Sequence, residues 1–180
     1  GSIEFMKNTV IPFLQKNEIK ISEIVSDYRQ PRPGDNGDGC YPGTSNYESE
    51  IPKSIKNEDV WVKCMNSPIW VRENGGIPNS KPGLPYQDPK EFSSWLIKNI
   101  GAPKDVDFVA LVGLTVDCCV FCTAQELTQR GYKVKIVEEA TDPAGGEKKY
   151  KKSILTKSPL LNWAEIIKWE DVEEIIKQGE

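Results

Sequence analysis

The chain of 180 residues contains no histidine, and its five cysteines are the strongest nucleophiles it has. Three of them crowd into Cys118-Cys119-Val120-Phe121-Cys122. A cysteine thiolate attacks carbonyl carbon and disulfide sulfur. Without histidine, every Ser-His and Cys-His arrangement is excluded, and so are His-containing zinc and iron sites. The proton of a catalytic thiol must then go to a carboxylate or a lysine. Cys119-Val-Phe-Cys122 is also a C-x-x-C, the spacing of a reactive dithiol at a helix N-terminus. Redox folds place that pair after their first strands, whereas here it comes late, and Cys122 reads rather as a small buried helix residue. Cysteine is often buried, so all three also read as packing. Cys40 and Cys64 read as structural.

The elements around these thiols give them a position. Phe108-Val-Ala-Leu-Val112 is an unbroken apolar run, which suits a strand buried on both faces of a parallel sheet. Gly113 and Leu114 lead into a turn. From Cys119 the apolar residues Val120, Ala124 and Leu127 take helical spacing, with Gln125, Glu126 and Gln129 between them. Gly131 is placed to stop that helix. A cysteine thus stands where a buried strand hands over to a helix. Open α/β sheets bind ligands at the carboxyl ends of their strands, and the N–H groups of a helix start favour anions.

The rest of the chain supplies strands, helices and two long loops. Asn8 to Lys16 reads as a short helix or a strand, and Glu18 to Val25 as a weakly alternating strand. Gln30 to Thr44 is rich in Pro and Gly and long enough to suggest binding rather than simple connection. Arg29 and Arg32 in this region suit a clamp on an anionic group, or equally two solvated loop charges. Asp59 to Met65 reads as a second buried strand with Lys63 near its end, where a lysine also has the option of pointing into water. Ser67 to Asp88 is a second Pro- and Gly-rich loop. With Trp70, Arg72 and Tyr86 it suits a lid, a pocket wall or an oligomer contact. Asp88-Pro89-Lys90-Glu91 carries N-cap, N1 and N3 residues for a helix bearing Phe92, Trp95, Leu96 and Ile100 and ended by Gly101. Lys133 to Val137 reads as a strand, Asp142 to Gly146 as a turn, and Glu147 to Lys157 as a helix with a solvated basic face. Ile166 to Trp169 reads as a last strand, and Asp171 as the cap of a last helix with Val172, Ile175 and Ile176. Alternating strands and helices predict an α/β fold: one domain, a Rossmann-like three-layer sandwich with a mainly parallel sheet flanked by helices.

Composition narrows the partners. The formal charge of −4 argues against nucleic acid and membrane surfaces. No apolar run approaches the roughly 20 residues needed to span a bilayer. An odd number of partly clustered cysteines does not suit a secreted disulfide framework and predicts a reducing, cytoplasmic setting. Gly1 to Phe5 read as a cloning scar ahead of Met6, leaving a domain over 6–180.

Gly113-Leu-Thr-Val-Asp-Cys-Cys-Val120, with Thr123-Ala124 and Gly131-Tyr132 after it, resembles the isochorismatase-like cysteine hydrolase family, which includes nicotinamidases and N-carbamoylsarcosine amidases. Val60-Trp-Val-Lys63 followed by Ser67 resembles the strand that presents the family's lysine, and Pro42-Gly-Thr44 with Glu50-Ile51 resembles the loop ahead of it. The similarity runs from about Glu18 to the C-terminus. It implies Cys119 as nucleophile and Lys63 as a cation that shuttles protons. It also implies a cis peptide at Thr115–Val116, an oxyanion hole of the Val116 and Cys119 N–H groups, and a homo-oligomer. The family opens with a strand ending in Asp-x-Gln, whose aspartate is the general base. Here the nearest match is Phe13-Leu-Gln15, unless Asn8 to Lys16 is the family's first helix and the first strand is missing. A missing strand would leave sheet edges for a partner chain to cover. The metal site of nicotinamidases uses histidines, so no metal and no cofactor is expected.

Three functions follow as expectations. The first is a hydrolase acting on a small amide, ureido or enol-ether molecule through Cys119 and Lys63, its turn formed by Thr115 and Val116 and its substrate met by Trp70, Arg29 and Arg32. The second is a family member without catalysis that binds or assembles. The third is a C-x-x-C thiol-redox protein.

Overall fold

The computed structural model describes residues 1–29, 39–70 and 85–179. Arg32 and Arg72 lie outside the described residues. The chain forms two compact units: Gly1–Asn17 together with Pro103–Glu180, and Glu18–Ala102. The fold is α/β with parallel sheets flanked by helices.

In the first unit, β3 (Val109–Leu114), β4 (Val134–Asp142) and β5 (Glu165–Ile167) form a parallel sheet in the order β3-β4-β5. The register is regular from Val109↔Val134 to Leu111↔Ile136. It then jumps, so that Gly113 faces Thr141 and Leu114 faces Asp142. Two steps along β3 are matched by five along β4, which swings the end of β4 across the end of β3. The apolar run of β3 is half-buried rather than buried on both faces, and Ala110 is exposed. Among the described residues of this sheet, β3 pairs with β4 alone.

Helix α3 (Cys119–Gln129) leaves the end of β3. Its buried residues are Val120, Thr123, Ala124 and Leu127, the stripe expected from the 3.6-residue period. It ends in a Schellman turn: Tyr132 N–H donates to Leu127 O at 3.2 Å and Gly131 N–H to Thr128 O at 3.0 Å. Gly131 takes φ +92° there, a conformation that favours glycine. Helix α4 (Lys148–Lys157) follows β4, and α5 (Trp169–Gln178) ends the chain.

Three expectations change in this unit. Residues Ser2–Phe5, Met6–Val10 and Ile11–Lys16 wind one continuous helix, α1, with a π-helical middle. Gly1 to Phe5 is therefore part of the folded structure: Ser2 is buried and its N–H donates to Asp142 Oδ2 at 2.8 Å. Phe13 is not at a strand end but lies in α1, edge-on to Trp169 at 5.5 Å. Asp171 does not cap α5. The helix starts at Trp169, because Glu139 Oε2 on β4 accepts the Trp169 N–H at 3.0 Å and so satisfies that end of the helix.

The second unit holds β1 (Ile24–Ser26) and β2 (Trp61–Lys63), paired in parallel with Ser26 opposite Lys63. Both are shorter than the apolar pattern suggests, and ahead of β1 only Ile21 makes an isolated bridge, to Lys56. Helix α2 (Phe92–Ile100) is led in by a 3-10 turn (Pro89–Glu91) capped by Asp88, whose Oδ1 accepts the Lys90 N–H at 3.0 Å, so the Asp-Pro-Lys-Glu motif starts the turn ahead of the helix. Its stripe meets β2: the rings of Trp61 and Phe92 are 4.9 Å apart, and those of Trp61 and Trp95 5.7 Å. Such pairs add about 0.5–1.5 kcal/mol each beyond simple burial. The two indole N–H groups are satisfied by Pro68 O at 2.7 Å and Asp59 O at 3.0 Å, so the aromatic core leaves neither donor stranded.

Candidate active site

In the first unit, the segment between β3 and α3 is tied down from one side. Gly113 takes φ +126°, a backbone conformation that favours glycine. Its carbonyl accepts the Thr141 hydroxyl at 2.8 Å. Val116 is fully buried, and its N–H donates to the Asp142 carbonyl at 3.0 Å. Asp117 Oδ1 accepts the Ala144 N–H at 3.0 Å. Three successive contacts from 141–144 thus clasp the turn, which the register jump in β4 makes possible.

The turn then closes on itself. The Thr115 carbonyl accepts the N–H groups of Cys118 at 3.1 Å and Val120 at 3.0 Å. Cys122 N–H donates to the Cys118 carbonyl at 3.0 Å. Cys119 is therefore the first residue of α3, half-buried, with its thiol unbridged. The cis peptide lies at Leu114–Thr115, one bond before the expected Thr115–Val116. The Val116 N–H expected at an oxyanion is committed to Asp142 instead.

The second unit gathers polar side chains at the carboxyl ends of β1 and β2. Lys63 does not point into water: it is 3 % exposed, and its Nζ donates to Ser26 Oγ at 2.9 Å and to Met65 O at 2.8 Å. The ammonium also stands 5.7 Å from the centre of the Tyr28 ring, close enough for a cation–π attraction. Next to it, Asp27 is fully buried. The Arg29 guanidinium grips its carboxylate as a fork, Nε to Oδ1 at 2.9 Å and Nη2 to Oδ2 at 2.6 Å, and the Tyr47 hydroxyl donates to Oδ2 at 3.0 Å. Burial pushes the Asp27 carboxyl up, but the bonds from the Arg29 side chain and backbone and from Tyr47 outweigh it and hold it below the ordinary carboxylate range. Burial, then the Asp27 carboxylate, pushes the Tyr47 phenol up.

Each expected residue among the described ones has a place. Thr115, Val116 and Cys119 share the clasped turn of the first unit. Lys63 and Arg29 share the strand-end cluster of the second. Arg29 is neither a free clamp nor merely a solvated charge, since its fork is spent on Asp27 while its side chain stays 43 % exposed. Trp70 packs half-buried against Cys64, Met65 and Tyr86. Asp27 and Tyr47 join the cluster without having been singled out, the one hint being the Asp27-x-Arg29 spacing. No strand precedes β1 among the described residues, and no family aspartate is found there.

A nicotinamidase-type metal does not fit this donor set. The chain has no histidine, both Asp27 oxygens already accept bonds, and no three His, Cys, Asp or Glu groups converge among the described residues. No helix of the described residues is long and apolar enough to cross a membrane.

No family model matches the sequence, and no curated protein matches it. Solved structures do. An isochorismatase family protein from Desulfovibrio vulgaris matches with TM-score 0.63 at 14 % identity, over 98 % of this chain and 85 % of that one. An isochorismatase-like hydrolase from Alkaliphilus metalliredigens matches with TM-score 0.53 at 17 % identity, over 96 % and 86 %. N-carbamoylsarcosine amidase from Thermoplasma acidophilum matches with TM-score 0.50 at 18 % identity, over 88 % and 78 %. At such identities the likeness is one of fold, and the resemblance carried by Gly113 to Val120 holds at that level: the chain has the isochorismatase-like hydrolase fold.

Proposed function

We propose that the chain is a cysteine-dependent hydrolase acting on a small amide, ureido or enol-ether substrate, with Cys119 as nucleophile and Lys63 as its cation. One observation carries this reading. Cys119 opens α3 directly from a turn clasped at Gly113, Val116 and Asp117, in a fold shared with hydrolases.

For an amide the chemistry balances without a separate aspartate. The Cys119 thiolate attacks the carbonyl carbon, and the N–H groups of Thr115 and Cys119 hold the oxyanion. Val116, whose N–H is engaged with Asp142, shapes the turn instead. The Lys63 ammonium gives a proton to the departing amine, leaving a thioester. The neutral lysine then takes a proton from water, the hydroxide attacks the thioester, and the acid leaves with thiolate and ammonium restored. Arg29, whose fork is held by Asp27, orders the strand-end cluster around Lys63, and Trp70 offers an apolar wall beside it. The partners are a small molecule and further copies of the chain, in the cytoplasm, without nucleic acid.

A second reading is a binding or assembly protein without turnover. It draws support from the helical conformation of residues Ser2–Lys16, where the family resemblance implies a strand bearing the base.

The deciding experiment is the pH dependence of iodoacetamide alkylation at Cys119, read by peptide mass, in the wild type and in Lys63→Met. Methionine keeps much of the buried stem volume. A thiol reactive well below pH 8, with part of that reactivity lost in Lys63→Met, supports the hydrolase, and a screen of small amides then identifies the substrate. A profile unchanged by Lys63→Met, with no turnover of any amide, sinks it in favour of the binding reading.

A further inference from the structure

The proposed hydrolysis uses one of the three clustered sulfurs and gives Cys122 no task. Cys119 and Cys122 are the first and fourth residues of α3, and all three thiols of the cluster are unbridged and half-buried. The first turn is closed by Val120 N–H to Thr115 O and Cys122 N–H to Cys118 O, both at 3.0 Å. The Thr123 hydroxyl donates to the Cys119 carbonyl at 2.8 Å and fixes the same turn from the next one. Residues three apart on a closed turn share a helix face, with Cβ atoms about 5–6 Å apart. A disulfide wants Cβ atoms about 3.5–4.5 Å apart and Cα atoms about 4.4–6.8 Å apart. A small adjustment of the first helical residue therefore suffices. Cys118, immediately adjacent to Cys119, does not face it.

We propose that Cys122 is a resolving thiol for Cys119, and that the pair is a reversible oxidation site taking a small hydroperoxide. The Cys119 thiolate attacks the terminal oxygen of the hydroperoxide. The O–O bond breaks, the alkoxide leaves and picks up a proton as the alcohol, and Cys119 becomes a sulfenic acid. The Cys122 sulfur then attacks the Cys119 sulfur, the S–S bond forms, and hydroxide leaves with the Cys122 proton as water. The two thiols lose two electrons and the hydroperoxide gains two. A cellular dithiol reverses the bridge by exchange. The bridge blocks the Cys119 sulfur and spares it from the irreversible sulfinic state.

The test reads thiol chemistry alone, so it stands whether or not the chain hydrolyses an amide. The reduced full chain and its Cys118→Ser and Cys122→Ser variants are treated with equimolar hydrogen peroxide, alkylated, digested and sequenced by fragmentation. The wild type and Cys118→Ser are expected to give a 119–122 bridge that dithiothreitol removes. Cys122→Ser is expected to lose the bridge, to trap dimedone at Cys119 and to advance to sulfinic acid. Circular dichroism confirms that each variant is folded. A bridge made through Cys118, or over-oxidation of Cys119 equal in wild type and Cys122→Ser, overturns the proposal.

Discussion

The hydroxyl of Thr141, at the end of β4, donates to the carbonyl of Gly113 at 2.8 Å, so a side chain of one strand holds the turn that follows another. Thr141 is fully buried. Thr141→Val keeps the shape and deletes the donor, and a buried group left unsatisfied costs about 1–3 kcal/mol. Urea unfolding is expected to show a lower midpoint with an unchanged slope, and Thr141→Ser is expected to recover part of the loss.

Gly113 and Gly131 separate two costs of a side chain. At Gly113 an added Cβ meets nothing within 4 Å, yet φ is +126°. Gly113→Ala should therefore lose about 1–3 kcal/mol through backbone conformation alone. At Gly131, φ is +92° and the nearest atom, Pro103 Cβ, is at an ordinary 3.5 Å. Gly131→Ala should lose about 1–2 kcal/mol, and Gly131→Asn less, because asparagine tolerates the left-handed region. Equal losses for alanine and asparagine at this position would contradict that account of the α3 cap.

Asp27 gives the second unit a dependence on acid. Its carboxyl is held below the ordinary range in the folded state, so the unfolded chain takes up a proton first as pH falls. The contribution to stability is whole above the unfolded value of about 3.9 and disappears as pH drops through the lower folded value. Asp27→Asn is expected to be less stable than wild type at pH 7 by about 1–3 kcal/mol, the cost of weakened buried hydrogen bonds. The gap is expected to shrink below pH 4. A constant gap from pH 7 to pH 3 would show that the carboxylate is not the source.

Phe92 is fully buried between Trp61 and Trp95. Phe92→Ala is expected to cost about 3–5 kcal/mol. Thermal unfolding followed at the tryptophan fluorescence reads it directly, since both neighbours are indoles.

Much of the architecture is legible because it is local. The switch from a continuous apolar run to 3.6-residue spacing marks β3 and α3, and Gly131 and Asp88 mark helix ends by their own backbone chemistry. What escapes the sequence is set at long range. The Asp142 carbonyl reaches the Val116 N–H only because β4 takes five residues where β3 takes two, and nothing in either segment announces that jump. The start of α5 is hidden likewise, because the group that satisfies Trp169 is Glu139, thirty residues earlier. Lys63 looks like a surface cation by type, and its burial depends on Ser26 and the Met65 carbonyl, contributed by two different segments. Asp27 and Tyr47, twenty residues apart, become partners only in three dimensions, and neither residue type announces the other.

The first unit is assembled from the two ends of the chain, with the second unit encoded between them. The Ser2 N–H and the Asp142 carboxylate that accepts it lie 140 residues apart. Helix α1 is thus made well before the strand that holds it. At roughly 5–20 residues per second of synthesis, it waits about 7–28 s for that partner. An isolated helix of its length is marginal in water, so it forms lastingly only when β4 arrives. The contiguous segment Glu18–Ala102 has its internal contacts within reach long before then. Deleting α1 should therefore delay or abolish maturation of the cysteine-bearing unit, while the lysine-bearing unit acquires its structure on the ribosome.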